Sequence, residues 1–266
     1  MTDEIKLLYI GDIMAQAGMK TVDQVLPQVM EQHNPDVIIA QAENVTAGKS
    51  MSLADMDYLR GLGIDFFTGG NHTPALSELH AALKDPAQPV IGPANMLDCP
   101  GFGFKTLKTK SGPILIASLL GATVGKEIII ENPLQKIDAI LSQTSQEQFV
   151  ARVLNFHGDY SSEKRIIGYY LDGKMSLVVG DHWHVPTADA MVLPKGTAHI
   201  TDVGMCGSLH SSLGVTLDAV VPRWRDNQIT KNELANEKPY QFNAVLVSIN
   251  PKTGLANAIQ SIQHII

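Results

Sequence analysis

Cysteine is scarce in this chain: Cys99 and Cys206 are the only two in 266 residues. They form no disulfide framework, and neither sits in a closely spaced metal-type pair. Positive charge is not in excess either, with 20 Lys and Arg against 27 Asp and Glu and a formal net charge of -7. Non-specific binding to long nucleic acid needs a basic face that displaces counterions, and this balance argues against it. A small phosphorylated substrate stays compatible, because a bound metal can supply local positive charge. No apolar run approaches about 18 residues, so no membrane span is expected. The acidic start, MTDEIKLLYIGD, lacks the basic region of a signal peptide, and a soluble cytoplasmic protein is the expectation. GDIMAQAG lacks the Gly-x-Gly spacing that lets a backbone approach a pyrophosphate. Repeats, low-complexity tracts and linker-like stretches are missing too, so residues 1–266 are read as a single domain.

What the chain does contain is an alternation of apolar runs and helix-period segments. KLLYIGD, DVIIAQAEN and IDFFTGGNH read as buried strands. Between them, TVDQVLPQVMEQH puts Val22, Val25, Leu26 and Val29 on one helical stripe, with Pro27 predicting a late start or a kink. SLADMDYLRGLG is a second helix, opened by Ser52 with Asp55 three residues later. ALSELHAALKD is a third. This β-α-β-α-β opening favours a parallel sheet. FKTLKTKSGPILIASLL then reads as an antiparallel pair, LQKIDAILSQ as a helix, and ARVLNFHGD and KMSLVVGDHWH as further strands. A terminal hairpin turns between Pro251 and Gly254. The outcome is a mixed sheet system consistent with two sheets packed face to face.

Followed to their carboxyl ends, five of these strands deliver polar residues of one kind. The first ends in Gly11-Asp12, the second in Glu43-Asn44, and the third in Gly70-Asn71-His72. Later ones end in Phe156-His157 and in Asp181-His182-Trp183-His184. Open α/β sheets bind ligands just beyond the carboxyl ends of their strands. Each group alone has a plainer reading: Asp12 as a helix cap, Glu43-Asn44 and Asn71-His72 as turn residues, His157 as a satisfied core histidine. Five coincidences at strand ends point instead to one site. Carboxylates, imidazoles and carboxamide oxygens without thiolate suit Mn, Fe or Zn. The donors suffice for two ions, with a carboxylate to bridge them.

In the order GD, EN, GNH, a single His and GHxH-like GDHWH, the chain resembles the calcineurin-like metallophosphoesterases. It is most similar to their bacterial branch, the YmdB-type phosphodiesterases. YIGDI, AEN, GNHT, SSEK, VVGDHWHV, TAD and LPKGTAHITDVGM follow that branch nearly in register. The resemblance implies a sandwich of two mixed β-sheets flanked by α-helices. It also implies a centre of two divalent ions, iron or manganese first, with zinc or magnesium as alternatives. Asp12 and His184 would hold one ion with Asn44 at its edge; Asn71, His157 and His182 would hold the other; Glu43 would bridge both. His72 would stand outside the coordination sphere as general acid while a metal-activated hydroxide attacks phosphorus. The implied substrates are small phosphodiesters, notably 2′,3′-cyclic nucleotides, and the branch is compatible with a homo-oligomer. A phosphomonoesterase or nucleotidase on the same site is the alternative, as is a low-turnover regulatory metalloprotein acting through nucleotide or protein binding.

The chain departs from the wider pattern in several places. Met14 stands where a histidine is usual, and Ala15 where an Asp orients the general acid. No Trp-Asp follows GNHT, and Asp181 replaces a small or neutral residue, with no role assigned to it. Strand alternation turns Trp183 to the face opposite the two histidines, favouring core packing over base stacking. Lys164 and Arg165 read as a solvated helix face, with phosphate contact the alternative. Glu163 is a cap or support for the His157 strand, and Asp202 a partner for a ligand histidine. His199 and His210 read as surface or loop residues, and Met14, Met19 and Met51 as gap-fillers near a pocket rim.

Overall fold

Along β1 (Ile5–Ile10), Ile5, Leu7 and Tyr9 face one way and Leu8 and Ile10 the other, and all are buried. A strand apolar on both faces must be covered on both faces, and the rest of the chain supplies the two covers. The computed structural model describes residues 4–125 and 127–266; the first three residues of the acidic start lie outside them. After β1 come β2 (Asp12–Ile13), α1 (Ala15–His33), β3 (Val37–Gln41), α2 (Leu53–Gly61) and β4 (Phe66–Thr68). A 3-10 turn (Thr73–Ala75) leads to α3 (Leu79–Lys84), then to the hairpin of β5 (Phe104–Thr109) and β6 (Gly112–Leu120). Next are α4 (Pro133–Gln143), β7 (Ala151–His157), α5 (Ser161–Tyr170) and β8 (Leu177–Asp181). Short strands β9 (Met191–Val192), β10 (Ala198–Ile200) and β11 (Met205–Ser208) precede α6 (Leu217–Asp226). The hairpin of β12 (Tyr240–Asn250) and β13 (Leu255–Ile265) closes the chain.

The strands form two mixed sheets. The first runs β2-β11-β12-β1-β3-β4, with β13 paired to β12; the second runs β5-β6-β7-β8-β10-β9. Parallel pairs β1/β3, β3/β4, β6/β7 and β7/β8 sit beside antiparallel pairs β1/β12 and β5/β6. Leu7, Tyr9, Val37, Ile39 and Val247 of the first sheet pack against Ile114, Ile116, Val153, Leu177 and Val179 of the second. The first sheet's other face, with Leu8, Ile10, Ile38 and Ala40, is covered by α1 and α2. The second sheet's outer face, with Leu115, Leu154, Phe156 and Val178, is covered by α4 and α5. Two mixed sheets flanked by helices are thus observed, as the resemblance implies. Among the described residues, no helix is long and apolar enough to cross a membrane.

Two helices differ from the sequence reading. The first begins at Ala15 and continues through Pro27, not after it. Val22, Val25, Leu26 and Val29 are buried against the sheet while Pro27 faces solvent, so burial of the stripe outweighs one lost backbone bond. The third is cut to Leu79–Lys84, because Leu76 is extended and separates it from the 3-10 turn. The Ser52 cap is as expected: its side chain accepts from Asp55 N.

Candidate metal centre

The carboxyl ends of β1, β3, β4, β7 and β8 meet at one place between the sheets, and the residues beyond them touch. His184 Nε2 lies 2.8 Å from Asp12 Oδ2. The Asn44 amide donates to that same Asp12 oxygen and, at 3.3 Å, to Glu43 Oε1. Glu43 Oε1 is 3.2 Å from His157 Nε2, which is also 2.9 Å from Asn71 Oδ1. His182 packs its ring 4.3 Å from that of His157, and one donor atom each from Glu43, His157 and His182 lies within 4.8 Å of the others. His72 sits at the rim: its backbone N–H donates to Glu43 Oε2 at 2.8 Å, and its Nδ1 lies 2.7 Å from Asn44 Oδ1. All eight residues singled out in the sequence are therefore in one contiguous cluster. Asn44 holds the His72 ring nitrogen, and the Glu43 carboxylate lies 3.8 Å from the same atom.

Local backbone makes the approach close. A Cβ on Gly70 would press on the Glu43 carboxylate and come within 2.6 Å of the His157 ring, so only glycine leaves space for both. Beneath that turn a buried polar chain joins the sheets. Tyr9 pairs with Thr68 Oγ1 at 2.5 Å and donates to Asn155 Oδ1 at 2.9 Å, while Ser118 Oγ donates to Gly69 O at 2.5 Å. Asn155 also reaches Gly69 O and Ser118, so the Gly69-Gly70-Asn71 segment is anchored from the opposite sheet. Glu163 supports the next loop as expected, accepting from Ala122 N at 2.9 Å beside Gly121, whose N–H bonds His157 O.

Several sequence readings need correction around the GDHWH stretch. Strand β8 ends at Asp181, and His182 and His184 have φ of 102° and 62°. The pair is not the end of an extended strand, and alternation does not place Trp183. Residues held in the left-handed region are costly unless their surroundings enforce it, and such strain clusters at functional sites. The surroundings here are specific: Asp202 Oδ2 accepts from Trp183 N at 2.9 Å, and the indole Nε1 donates to Asp159 O. The indole is partly exposed rather than core filling, and Lys164 Nζ lies 4.0 Å from its ring centre. Lys164 is fully buried rather than solvated, paired with Asp202 at 2.6 Å. Asp202 holds this loop through Trp183 and Lys164 instead of bonding a ligand histidine. Arg165 pairs with Asp189 at 3.0 Å. His199 is also fully buried, its Nδ1 2.9 Å from Val178 O and its ring against Gly168; His210 is exposed as read. Met14 and Met51 are buried and fill gaps, with Met19 packed at the core edge.

The sequence reading missed Asp159 and left Asp181 unexplained. Asp181 Oδ2 is 3.0 Å from His157 Nδ1, and Asp159 Oδ1 is 2.9 Å from His182 Nε2. Both contacts bring together residues at the ends of the neighbouring strands β7 and β8, where His157 and Asp181 are register partners.

Burial dominates the electrostatics. It pushes Glu43 well above the usual carboxylate range, with Asp12 adding to the effect. Burial takes Asp181 up to about 7, against the pull of the Lys164 charge. Burial also lowers His157 to about 3 and His182 to about 4. For His184 burial is outweighed by the facing Asp12 carboxylate and the net shift is upward; His72 is lowered by burial and by Lys49. Asp12 Oδ1 and Asp181 Oδ1 are buried without a hydrogen-bond partner among the described residues. Buried carboxylates beside His157 and His182, which resist protonation, and an Asp12 oxygen that is unpartnered among the described residues make an oxygen-nitrogen donor set that divalent ions fit.

The sequence profile of the family described as YmdB-like protein matches residues 8–262. The 2′,3′-cyclic-nucleotide 2′-phosphodiesterase of Bacillus subtilis (strain 168) is 31% identical over 259 residues, covering 97% of this chain and 96% of that one. The crystal structure of a novel phosphatase from Mycoplasma pneumoniae superposes with a TM-score of 0.92 at 26% identity, over 100% of this chain and 95% of that one. A hypothetical protein from Thermus thermophilus superposes with a TM-score of 0.87 at 31% identity, over 98% and 99% of the two chains.

Proposed function

This chain belongs to the YmdB-like protein family, and on that premise we propose that it is a metal-dependent phosphodiesterase acting at the strand-end cluster on small phosphodiesters, 2′,3′-cyclic nucleotides being the favoured class. The observation that carries the reading is the cluster itself: Asp12 and Glu43 buried among His157, His182 and His184, with Asp12 Oδ1 unpartnered among the described residues. The name of the Bacillus subtilis relative supports the substrate class. Asp12 and His184, with Asn44 at the edge, would hold one divalent ion, and Asn71, His157 and His182 the other, with Glu43 shared. When bound, such ions acidify a water and offset charge on phosphoryl oxygens.

The chain's own groups do the remaining work. Burial excludes bulk water from Asp12, Glu43 and His157, which strengthens every charge interaction there. With Nδ1–H donated to Asn44 Oδ1, the His72 imidazolium presents Nε2–H as the proton given to the departing alkoxide, and the ring is left neutral with its hydrogen on Nδ1. Its side chain is 38% exposed, so a substrate can reach it. Glu43, tied to the His72 backbone and facing His157, is not free to act as that acid.

Replacing His72 by Ala should leave metal uptake unchanged and slow hydrolysis of an alkyl phosphodiester by about 10²–10⁴-fold. Steady-state kinetics alongside elemental analysis checks this. A variant that hydrolyses the diester at the parent rate removes His72 from the mechanism. The Mycoplasma pneumoniae structure, described as a phosphatase, supports monoester hydrolysis on the same site as a second reading. Comparing 2′,3′-cyclic AMP with adenosine monophosphates separates the two.

A further inference from the structure

The two halves of the cluster are backed by different chemistry. In the half containing Asp12, His184 turns Nδ1 to a neutral partner, Leu213 O, at 3.1 Å. In the other half both imidazoles are backed by carboxylates. Asp181, fully buried at the last position of β8, lies 3.0 Å from His157 Nδ1. Asp159, just past the end of β7, lies 2.9 Å from His182 Nε2. The nitrogen of His157 left over, Nε2, faces Glu43 and Asn71.

Charge follows the same division. The first half has Asp12 to itself and shares Glu43, whereas the second shares Glu43 and otherwise offers only the neutral donors Asn71, His157 and His182. We infer that Asp181 and Asp159 are the positioning residues of the second half, supplying from behind its histidines the negative charge its own donors lack, and so governing how tightly that half holds a divalent ion. The inference rests on the dinuclear reading above. A carboxylate that accepts the outer N–H of an imidazole fixes the tautomer and ring orientation and makes the inner nitrogen a stronger donor. The effect is local to each ring, so the Asp12–His184 half should not share it.

Mn²⁺ binding distinguishes the possibilities, followed by calorimetric titration and by the electron paramagnetic resonance signal of unbound ion. The parent chain should take up two ions. Asp181→Asn keeps an acceptor for His157 but removes the charge, and Asp159→Asn does the same for His182. Each should weaken one of the two ions by about 10–100-fold and leave the other unchanged. Asp181→Leu, which removes the hydrogen bond as well, should weaken that same ion at least as far. Thermal unfolding of the chelator-treated proteins monitors the fold, and Asp159→Asn, at a partly exposed position, decides the matter if the Asp181 variants do not fold. A parent that binds two ions and variants that match it overturn the inference alone. Variants that lose both ions equally also overturn it. A parent that binds no Mn²⁺ overturns the dinuclear reading, and this inference with it.

Discussion

Lys164 shows what a single residue can conceal. It is one of the four residues of SSEK and sits next to Arg165, which reads as a charged, solvated face. In the structure Lys164 lies on the stripe with Ile167, Gly168 and Leu171, at helical spacing, and all four are buried. That spacing was present in the sequence and would have turned the lysine inward; the residue type argued otherwise. Its partner Asp202 is 38 residues away, and burial raises the Asp202 carboxyl while Lys164 opposes the rise. Removing one member of such a pair leaves a buried charge uncompensated. Lys164→Met is therefore expected to cost about 3–5 kcal/mol in urea unfolding. The double change Lys164→Met/Asp202→Asn should cost less than Lys164→Met, because no unpaired charge remains. A single-variant loss below about 1 kcal/mol would mean that water, not Lys164, satisfies Asp202. Asp159 and Asp181 were hidden for a related reason: their partners come from neighbouring strands, and no local spacing signals them.

At the scale of elements, the strand ends were legible because burial leaves few choices. Apolar strands such as VIIAQ and LVVGD must stop where water or a ligand begins, and the polar residues that follow mark the place. The backbone past β8 was not legible, since nothing in the identities of His182 and His184 announces a positive φ. The extended reading placed both histidines in the right neighbourhood by the wrong geometry. Helix α1 is the converse case, where local preference was read correctly but lost to packing. Pro27 offers no N–H to the Asp23 carbonyl, and its side chain contributes nothing to the buried stripe. Pro27→Ala should restore that bond and stabilise the fold by on the order of 1–3 kcal/mol, less whatever freedom the unfolded chain regains. A lowered thermal midpoint would show that the proline itself shapes the helix.

For the whole molecule, the two sheets act as a clamp. The first brings Asp12, Glu43, Asn44, Asn71 and His72, the second His157 and the His182–His184 loop, and the inter-sheet core of Leu7, Tyr9, Ile116 and Val179 sets their spacing. The architecture was legible as a class from alternating burial and from the family resemblance. The polar bridge of Tyr9, Asn155 and Ser118, which ties the Gly69-Gly70 turn to the opposite sheet, was not, because it depends on which strands face each other. The proposed activity depends on the same clamp holding divalent ions between its halves. Hydrolysis of 2′,3′-cyclic AMP, measured on chelator-stripped protein before and after Mn²⁺ is restored, tests that dependence most directly. Loss of turnover on stripping and its return with about two Mn²⁺ per chain is the expected result. Full turnover by metal-free protein, or none with both ions bound, would contradict it.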